Sequence, residues 1–177
     1  MQNLLDDFLT LMRAEASQQF NPAEMDLTEL CAKLIEEVRL SSKAIHNIQY
    51  TTNCEKVILT GDEKLLRHAI GNLLSNAVKY SPDGGEVVLD LQHANGLEIR
   101  VRDHGIGIPE KDHEKLFDPF FRASNVGEMA GTGLGLPIAK QAIELHGGKL
   151  EIARSDANGT EFLIWLPVDE RTILTGC

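Results

Sequence analysis

The chain has 177 residues, which is enough for one globular domain with its own core and leaves little room for a second. Hydrophobic residues make up 42% and charged residues 25%, a composition that excludes disordered and collagen-like chains. The formal net charge of −10 disfavours nucleic acid or an anionic membrane as a partner, because both require basic residues that neutralise phosphate. No apolar run is long enough to span a membrane. Met1 is not followed by the basic stretch that begins a secretory signal.

The cysteines carry information about location. Cys31, Cys54 and Cys177 are odd in number and far apart in the sequence. Such usage is typical of a reducing cytoplasm and predicts neither a disulfide framework nor a zinc site. We therefore expect these residues to be cytoplasmic, and we leave open whether a parent protein is anchored in a membrane.

The first 80 residues are predicted to contain three helices and two strands. Apolar residues recur at three- and four-residue spacing in the helical segments, and Phe20-Asn21-Pro22 interrupts that pattern. Asp26 with Glu29 three residues later is an N-terminal capping pair. The predicted elements are helices over 2–19, 26–44 and 62–80, and strands over 48–52 and 56–60.

The second half alternates strands with a long glycine-rich loop. Asn95-Gly96 and Asn158-Gly159 each separate two runs of alternating apolar residues, which indicates β-hairpins. Because most neighbouring strands are hairpins, we expect an α+β fold. It would be a two-layer α/β sandwich, with a mixed, mostly antiparallel sheet of about five strands covered by helices on one face. The predicted elements are strands over 86–92, 97–101, 149–154 and 161–166, and helices over 110–115 and 134–146.

Three familiar phosphate-binding sequences are missing. The chain has no Gly-x-x-x-x-Gly-Lys-Ser/Thr loop, and the glycines from Gly131 onward do not complete the dinucleotide pattern Gly-x-Gly-x-x-Gly. The motifs of Ser/Thr/Tyr protein kinases are also missing. Any phosphate chemistry must therefore use another set of residues.

One face of the third predicted helix carries polar residues of an unusual type. His68, Asn72, Asn76 and Lys79 fall within an arc of about 80° on a helical wheel. Asparagine is a poor helix former, so two of them one turn apart add little to a merely solvated face. Amide oxygens beside Lys79 suit a hard cation and its phosphate oxygens. A plain solvated stripe is the alternative interpretation.

A carboxylate is predicted to face the interior at the end of a strand. The alternation that buries Leu97, Ile99 and Val101 also turns Asp103 inward, where a carboxylate needs hydrogen-bond donors. One interpretation is an acceptor for the amino group of a ligand, with the following glycines letting the backbone approach a flat ring. The other is a turn aspartate that bonds its own backbone.

Two further segments lie between residues 117 and 137. Phe117-Asp-Pro-Phe120-Phe121-Arg122 holds three of the six phenylalanines and is typical of a hydrophobic anchor. The glycines of 131–137 open a helix and expose backbone N–H groups that can bind phosphate, although each segment alone also fits a plain loop. Residues 123–130 between them are small and polar, which predicts mobility.

In this order, the four segments resemble the N, G1, F and G2 boxes of the catalytic and ATP-binding domain of bacterial sensor histidine kinases. That domain belongs to the superfamily of gyrase B, the Hsp-type chaperone ATPases and MutL. The likeness covers about residues 26–168. It implies the tail of a helical dimerisation domain at 1–20, a linker at 21–25, the catalytic domain at 26–168 and a C-terminal tail at 169–177.

The resemblance implies ATP and Mg²⁺ as cofactors and a role for each matching residue. Asn76 would hold Mg²⁺ with help from Asn72, while Lys79 and Tyr80 would contact phosphate or sugar. Asp103 would accept a hydrogen bond from the adenine amino group. Gly105, Gly107 and Ile108 would line the purine. Phe117, Phe120 and Phe121 would hold the lid in place. The triphosphate would be bound by Gly131, Thr132, Gly133, Leu134, Gly135 and Leu136.

Catalysis would then depend on Asn72, Lys79 and Arg122, with Arg122 reaching toward the γ-phosphate. Residues 123–130 would form a lid that becomes ordered when nucleotide binds. In hydrolytic members of the superfamily, a glutamate four residues before the metal-binding asparagine activates water. The neutral amide of Asn72 at that position implies transfer in preference to hydrolysis.

The resemblance implies a protein-histidine kinase that phosphorylates a histidine on a dimerisation domain, for relay to an aspartate of a response regulator. The parent kinase would be a homodimer. None of the histidines lies in the acceptor box of such kinases, so we interpret the chain as the C-terminal part of a larger kinase. The histidines are His46, His68, His93, His104, His113 and His146.

Two alternatives stay open at this point. One is a standalone serine kinase of the anti-sigma type, which the helical lead-in of 2–19 argues against. The other is a non-catalytic docking module that binds nucleotide or nothing, which the intact boxes argue against.

Overall fold

The computed structural model describes residues 20–42, 45–127, 129 and 131–177. The predicted helix over 2–19 and its assignment to a dimerisation domain lie outside the described residues. In chain order the elements are β1 (Ala23–Asp26), α1 (Leu27–Ser41), β2 (His46–Thr52), β3 (Lys56–Gly61), α2 (Glu63–Lys79), β4 (Gly85–His93), β5 (Leu97–Asp103), a 3₁₀ helix (Glu110–Lys115), α3 (Gly135–Leu145), β6 (Lys149–Asp156), β7 (Gly159–Leu166) and β8 (Ile173–Thr175).

Two helices begin after a capping aspartate, and the cap at Asp26 was predicted from the sequence. Asp26 Oδ1 accepts a hydrogen bond from the backbone N–H of Glu29 at 3.0 Å. Asp62 does the same for Leu65 at 3.1 Å. Each carboxylate satisfies one N–H group that has no partner within its helix, which fixes where α1 and α2 start.

Across the described residues, no helix is both long and apolar enough to cross a membrane.

A five-stranded sheet in the order β2-β4-β5-β7-β6 forms one layer of the fold. The β2–β4 pair is parallel and the other pairs are antiparallel, so the predicted mixed, mostly antiparallel sheet is confirmed. All three α-helices contact this sheet, and the apolar face of each strand packs beneath them in one core. Both predicted hairpins, β4–β5 and β6–β7, are present.

A second, smaller sheet was not predicted. It has the order β1-β3-β8, with β3 paired to both neighbours in antiparallel register. Strand β1 lies in the segment expected to be a linker, and β8 lies in the expected C-terminal tail. These strands have only four and three residues, too few to show the alternating pattern that identifies a half-buried strand, and their pairing partner is distant in sequence.

The cysteine prediction is wrong. Cys54 and Cys177 form a disulfide, with their Cα atoms 4.1 Å apart. The two residues are 123 positions apart in the sequence, and they meet because β8 pairs with β3 just after Cys54. Cys31 is a free, buried thiol in the core. Sequence spacing alone gave no sign of the pair, since the contact depends on the unpredicted sheet.

Candidate functional site

A cleft of about 240 Å³ opens between α2, the start of α3 and the segment that connects β5 with α3. Its walls contain most of the residues singled out from the sequence. Those that line it are Asn72, Asn76, Lys79, Tyr80, Asp103, Gly107, Ile108, Arg122, Gly131, Thr132, Gly133, Gly135 and Leu136.

The polar face of α2 forms one wall of the cleft. The buried face of α2, which includes Leu66, Ile70 and Leu73, packs into the core and so turns the asparagines toward the cleft. Asn72 Nδ2 donates a hydrogen bond to the carbonyl oxygen of Gly135 at 3.3 Å. This bond joins α2 to the first residue of α3. His68, which shares the same arc, is exposed and is not part of the cleft wall.

Lys79 ends α2 beside the aromatic ring of Tyr80. Its Nζ donates to the Tyr80 hydroxyl at 2.9 Å and lies 4.5 Å from the ring centroid. A Cβ at position 131 would lie 2.8 Å from this Nζ, so glycine at 131 leaves room for the ammonium group. The positive charge therefore lies between α2 and the glycine-rich loop. An anion there would be attracted to the ammonium group and to the backbone N–H groups of the loop.

Asp103 lies at the end of β5 with 7% of its surface exposed. Its Oδ1 accepts hydrogen bonds from the backbone N–H of Gly105 at 2.8 Å and of Thr160 at 3.2 Å. Burial raises the pKa of this carboxyl, although the two hydrogen bonds oppose that shift. Among the described residues no hydrogen bond ends on Oδ2, so this oxygen remains as an acceptor at the cleft. The turn interpretation is therefore confirmed for Oδ1, whereas the interpretation as an acceptor for a ligand's amino group, for which Oδ2 is available, stays a prediction.

The glycine-rich loop reaches the start of α3 in a conformation that depends on glycine. Gly133 has a φ of +72°, and a Cβ there would lie 2.6 Å from the carbonyl carbon of Phe120. No described side chain caps the start of α3, which begins at Gly135. Its first backbone N–H groups are therefore available to an anion, and the helix dipole favours negative charge there.

Four predicted residues do not line the cleft. Gly105 is required by packing instead, since a Cβ there would lie 2.1 Å from the Tyr80 carbonyl oxygen. Phe117 and Leu134 line a separate groove beside α3, where Lys140 Nζ lies 5.2 Å from the Phe117 ring centroid. Phe120 is 50% exposed and has a φ of +63°. The positive φ turns the chain so that Phe121, and not Phe120, faces the cleft.

Sequence reasoning also missed part of the apolar wall. Thr160 and Phe162 on β7 line the cleft because β7 pairs with β5, where Phe162 lies opposite Val101. The alternation along β7 was visible in the sequence, but its neighbour in the sheet was not. The other lining residues that were not assigned to the site are Ser75, Leu116, Ala123 and Val126.

Arg122 also lines the cleft, but its guanidinium is engaged elsewhere. Nη2 donates to the backbone carbonyl of Gly127 at 3.3 Å and to that of Met129. These bonds hold the arginine to the loop that follows it. The expectation that Arg122 reaches toward a bound phosphate stays a prediction.

Comparison with known proteins agrees with this geometry. A family profile described as histidine kinase-, DNA gyrase B-, and HSP90-like ATPase matches residues 61–170. The chain belongs to this family. The sensor histidine kinase WalK of Bacillus subtilis is 32% identical over 96% of the chain. The signal transduction histidine-protein kinase/phosphatase MprB of Mycolicibacterium vanbaalenii is 35% identical over 90% of it.

The similarity extends to a solved structure. The mycobacterial sensor histidine kinase MprB superimposes with a TM-score of 0.73 at 34% identity, covering 82% of this chain and 97% of the solved one. The expected family and the expected α+β fold are therefore confirmed. The chain spans 29% of the length of WalK and 33% of that of the Mycolicibacterium MprB.

Proposed function

We propose that this chain is the ATP-binding kinase domain of a two-component sensor histidine kinase. It binds Mg-ATP and transfers the γ-phosphoryl group to a histidine of a dimerisation domain, from which a response-regulator aspartate receives it. The observation that carries the proposal is the pairing of two features in one cleft. Asp103 offers a buried carboxylate oxygen, and the start of α3 offers uncapped N–H groups.

Adenine is the base that suits Asp103. Its Oδ2 is a hydrogen-bond acceptor, which matches the exocyclic amino group of adenine and not the carbonyl of guanine. Gly107 has a φ of +65°, and a Cβ there would lie 1.9 Å from the carbonyl oxygen of Asp156. The turn at Gly107 therefore tolerates only glycine, and it lets bare backbone line the purine side of the cleft.

The residues of α2 fit a magnesium ion. Asn76 lines the cleft, and none of the described residues forms a hydrogen bond with its side chain, so its amide oxygen is available. Asn72 uses Nδ2 to bond Gly135 and keeps Oδ1 as an acceptor. Asn76 would hold Mg²⁺ and Asn72 would assist. When bound, the ion neutralises phosphate charge during transfer.

The remaining charges would stabilise the triphosphate. Lys79 supplies an ammonium group beside Gly131, and the N–H groups at the start of α3 supply partial positive charge. Arg122 would add a guanidinium after leaving the carbonyl oxygens of Gly127 and Met129. Because phosphoryl transfer relies on positioning and charge stabilisation, these groups suffice without a covalent intermediate on this chain.

The partners follow from the same proposal. The acceptor is the dimerisation domain of the same kinase, which pairs as a homodimer, and a receiver domain takes the phosphoryl group next. We place the domain in the cytoplasm because ATP is available there; the disulfide removes the cysteine usage as an argument for that compartment. The net charge of −10 supports the absence of nucleic acid from this set.

A calorimetric titration tests the proposal. The purified chain is titrated with a non-hydrolysable ATP analogue, with and without Mg²⁺. We expect one site that binds more tightly with Mg²⁺, and Asn76→Ala should remove that dependence on the ion. Asn47→Ala, at an exposed position of β2 away from the cleft, is the matched control and should bind like the unmodified chain. A chain that binds no adenine nucleotide would leave only the docking-module interpretation.

A further inference from the structure

The loop between the F and G2 boxes spans residues 120–133 and contains the predicted lid, residues 123–130. Its two ends meet, because the backbone N–H of Phe120 donates to the carbonyl oxygen of Gly133 at 3.0 Å. The sequence predicted that residues 123–130 are mobile until nucleotide binds. The contacts of residues 123–127 indicate that neighbouring residues already hold this first half of the lid in place.

The first anchor comes from the 3₁₀ helix. Asp112 is 7% exposed, and its Oδ2 accepts a hydrogen bond from the backbone N–H of Ser124 at 2.7 Å. Hydrogen bonds from Ser124 hold the pKa of the Asp112 carboxyl below its usual range, so the acceptor stays charged near neutral pH. A buried carboxylate with a backbone donor is a strong local constraint on the chain.

The second anchor ties the lid to the purine side of the cleft. Asn125 Nδ2 donates to the carbonyl oxygen of Gly107 at 2.9 Å and approaches that of Ile106 at 3.4 Å. Gly107 is the residue whose turn cannot accept a side chain. The asparagine amide therefore links the lid directly to the backbone that would face adenine.

The two anchors enclose a turn whose apolar residues form part of the cleft. The backbone N–H of Val126 donates to the carbonyl oxygen of Ala123 at 3.3 Å, which closes the turn. Ala123 and Val126 are each only 8% exposed, and both line the cleft beside Ile108. The first half of the lid thus supplies a wall on the same side as the Gly107 loop.

We propose that Asn125 and Asp112 are positioning residues that fold residues 123–127 onto the Gly107 loop before nucleotide binds, and so complete the wall of the purine site. This inference rests on the proposed function, because it concerns the same nucleotide site. It predicts a particular pattern of affinities. A loss of the purine wall weakens AMP, ADP and an ATP analogue by the same factor, whereas a loss of phosphate contacts weakens them unequally.

The test uses Asn125→Ala, which removes the N–H donor and adds no charge beside the nucleotide phosphates. We expect Kd to rise roughly three- to tenfold for all three nucleotides, which is the effect of one lost hydrogen bond. Asp112→Ala should have a similar effect. Asp112→Asn retains an acceptor oxygen and should restore most of the affinity. Asn47→Ala makes the same truncation on β2, away from the cleft, and should leave every Kd unchanged.

Hydrogen exchange on the nucleotide-free protein provides the second measurement. The amides of Ser124 and Val126 should be protected in the unmodified chain and in Asn47→Ala, and should exchange at least several times faster in Asn125→Ala. The amides of β5 serve as the internal reference for intact folding. Unprotected lid amides in the unmodified chain would overturn the inference.

The outcomes separate the two proposals. If the unmodified chain binds no adenine nucleotide, the proposed function fails, and exchange alone decides whether the anchors fix the lid. If it binds nucleotide and Asn125→Ala changes neither Kd nor exchange, the inference fails while the proposed function stands. A change confined to the ATP analogue would also overturn the inference, because the anchors would then act through the phosphates.

Discussion

Thr160 and Asp103 are 57 positions apart in the sequence, and the backbone N–H of Thr160 donates to Oδ1 of Asp103 at 3.2 Å. The pairing of β7 with β5 brings them together. Together with the N–H of Gly105, this bond occupies one carboxylate oxygen and fixes the plane of the group. The other oxygen is thereby aimed by the protein backbone and not by a flexible side-chain partner.

The first prediction concerns base selectivity. Asp103→Asn keeps an oxygen for the two backbone donors and presents an N–H₂ group where the free oxygen was. Two donors then face each other in the ATP complex, so affinity for ATP should fall by about 1.5–3 kcal/mol, on the order of ten- to a hundredfold. GTP, which presents a carbonyl, should bind poorly to the unmodified chain and lose little in the variant. Competition titrations measure both, and equal affinity of the unmodified chain for ATP and GTP would contradict the assignment.

The second prediction concerns acid stability. The backbone N–H of Asp62 donates to His146 Nε2 at 2.9 Å, so the ring proton lies on Nδ1, which donates to the Ala142 carbonyl oxygen at 2.6 Å. Burial lowers the pKa of His146, although the Ala142 bond and the Asp62 carboxylate oppose the shift. A protonated Nε2 would lose the bond from Asp62, at the residue that caps α2.

The sign of the pH effect follows from that lowered pKa. The contribution of neutral His146 to stability is complete above about pH 6.5, the usual pKa of unfolded histidine. It is lost as the pH falls from there through the lowered value, because the unfolded chain takes up a proton that the folded chain resists. Urea unfolding between pH 5 and 8 should show this decline, and His146→Gln should flatten it. An unchanged slope in the variant would assign the decline to other groups.

The third prediction concerns the disulfide. Cys177→Ser removes the bond between Cys54 and Cys177, which closes most of the chain into a loop, and should lower the free energy of unfolding by about 2–4 kcal/mol. A reductant should have the same effect on the unmodified chain and none on the variant. Affinity for an ATP analogue should not change, because neither cysteine lines the cleft. Thiol titration of the denatured protein should find one free thiol before reduction and three after it.

The sequence predicted best what depends on nearby residues. The cap at Asp26, the helix start at residue 62 and the inward-facing Asp103 at the end of β5 were all predicted, and the structure confirms them. Features that depend on distant pairing could not be predicted. The register of β7 against β5, which places Thr160 at the site, is one example, and the β3–β8 pairing behind the disulfide is another.

The three phenylalanines of the F box illustrate a further limit. Their spacing predicts that they cluster, but it does not predict which of them faces the cleft. The positive φ of Phe120 settles that question, and a bulky residue rarely adopts this conformation. Gly133, at the other end of the same loop, stabilises this conformation, since the N–H of Phe120 donates to its carbonyl oxygen.

The fourth prediction is that phosphorylation requires a second polypeptide. Across the part of the chain that the structure describes, which includes all six histidines, no histidine lines the cleft. Incubated alone with labelled ATP, the chain should therefore acquire no acid-labile phosphate. Mixed with a matching dimerisation domain, it should label that domain, and Asn76→Ala should abolish the labelling. Stable labelling of a histidine in this chain would contradict the prediction.

The last prediction concerns transfer against hydrolysis. The resemblance implies that Asn72 occupies the position at which hydrolytic members of the superfamily carry a glutamate, and an amide cannot take a proton from water near neutral pH. Without a general base, which contributes typically 10²–10⁴-fold, phosphate release from the chain alone should stay well below about one turnover per minute. Asn72→Glu supplies the carboxylate and should raise hydrolysis while impairing transfer to a dimerisation domain.

Asn72→Glu also removes the donor that bonds the Gly135 carbonyl oxygen at 3.3 Å, so a control must separate the two effects. Asn72→Gln matches the length of the glutamate and keeps a neutral N–H₂ donor. If the carboxylate acts as a base, hydrolysis should rise in Asn72→Glu and stay low in Asn72→Gln, while transfer is disturbed in both. An equal rise in both variants would indicate that loosening the junction of α2 and α3 admits water. Steady phosphate release at several turnovers per second from the unmodified chain would contradict the role given to Asn72.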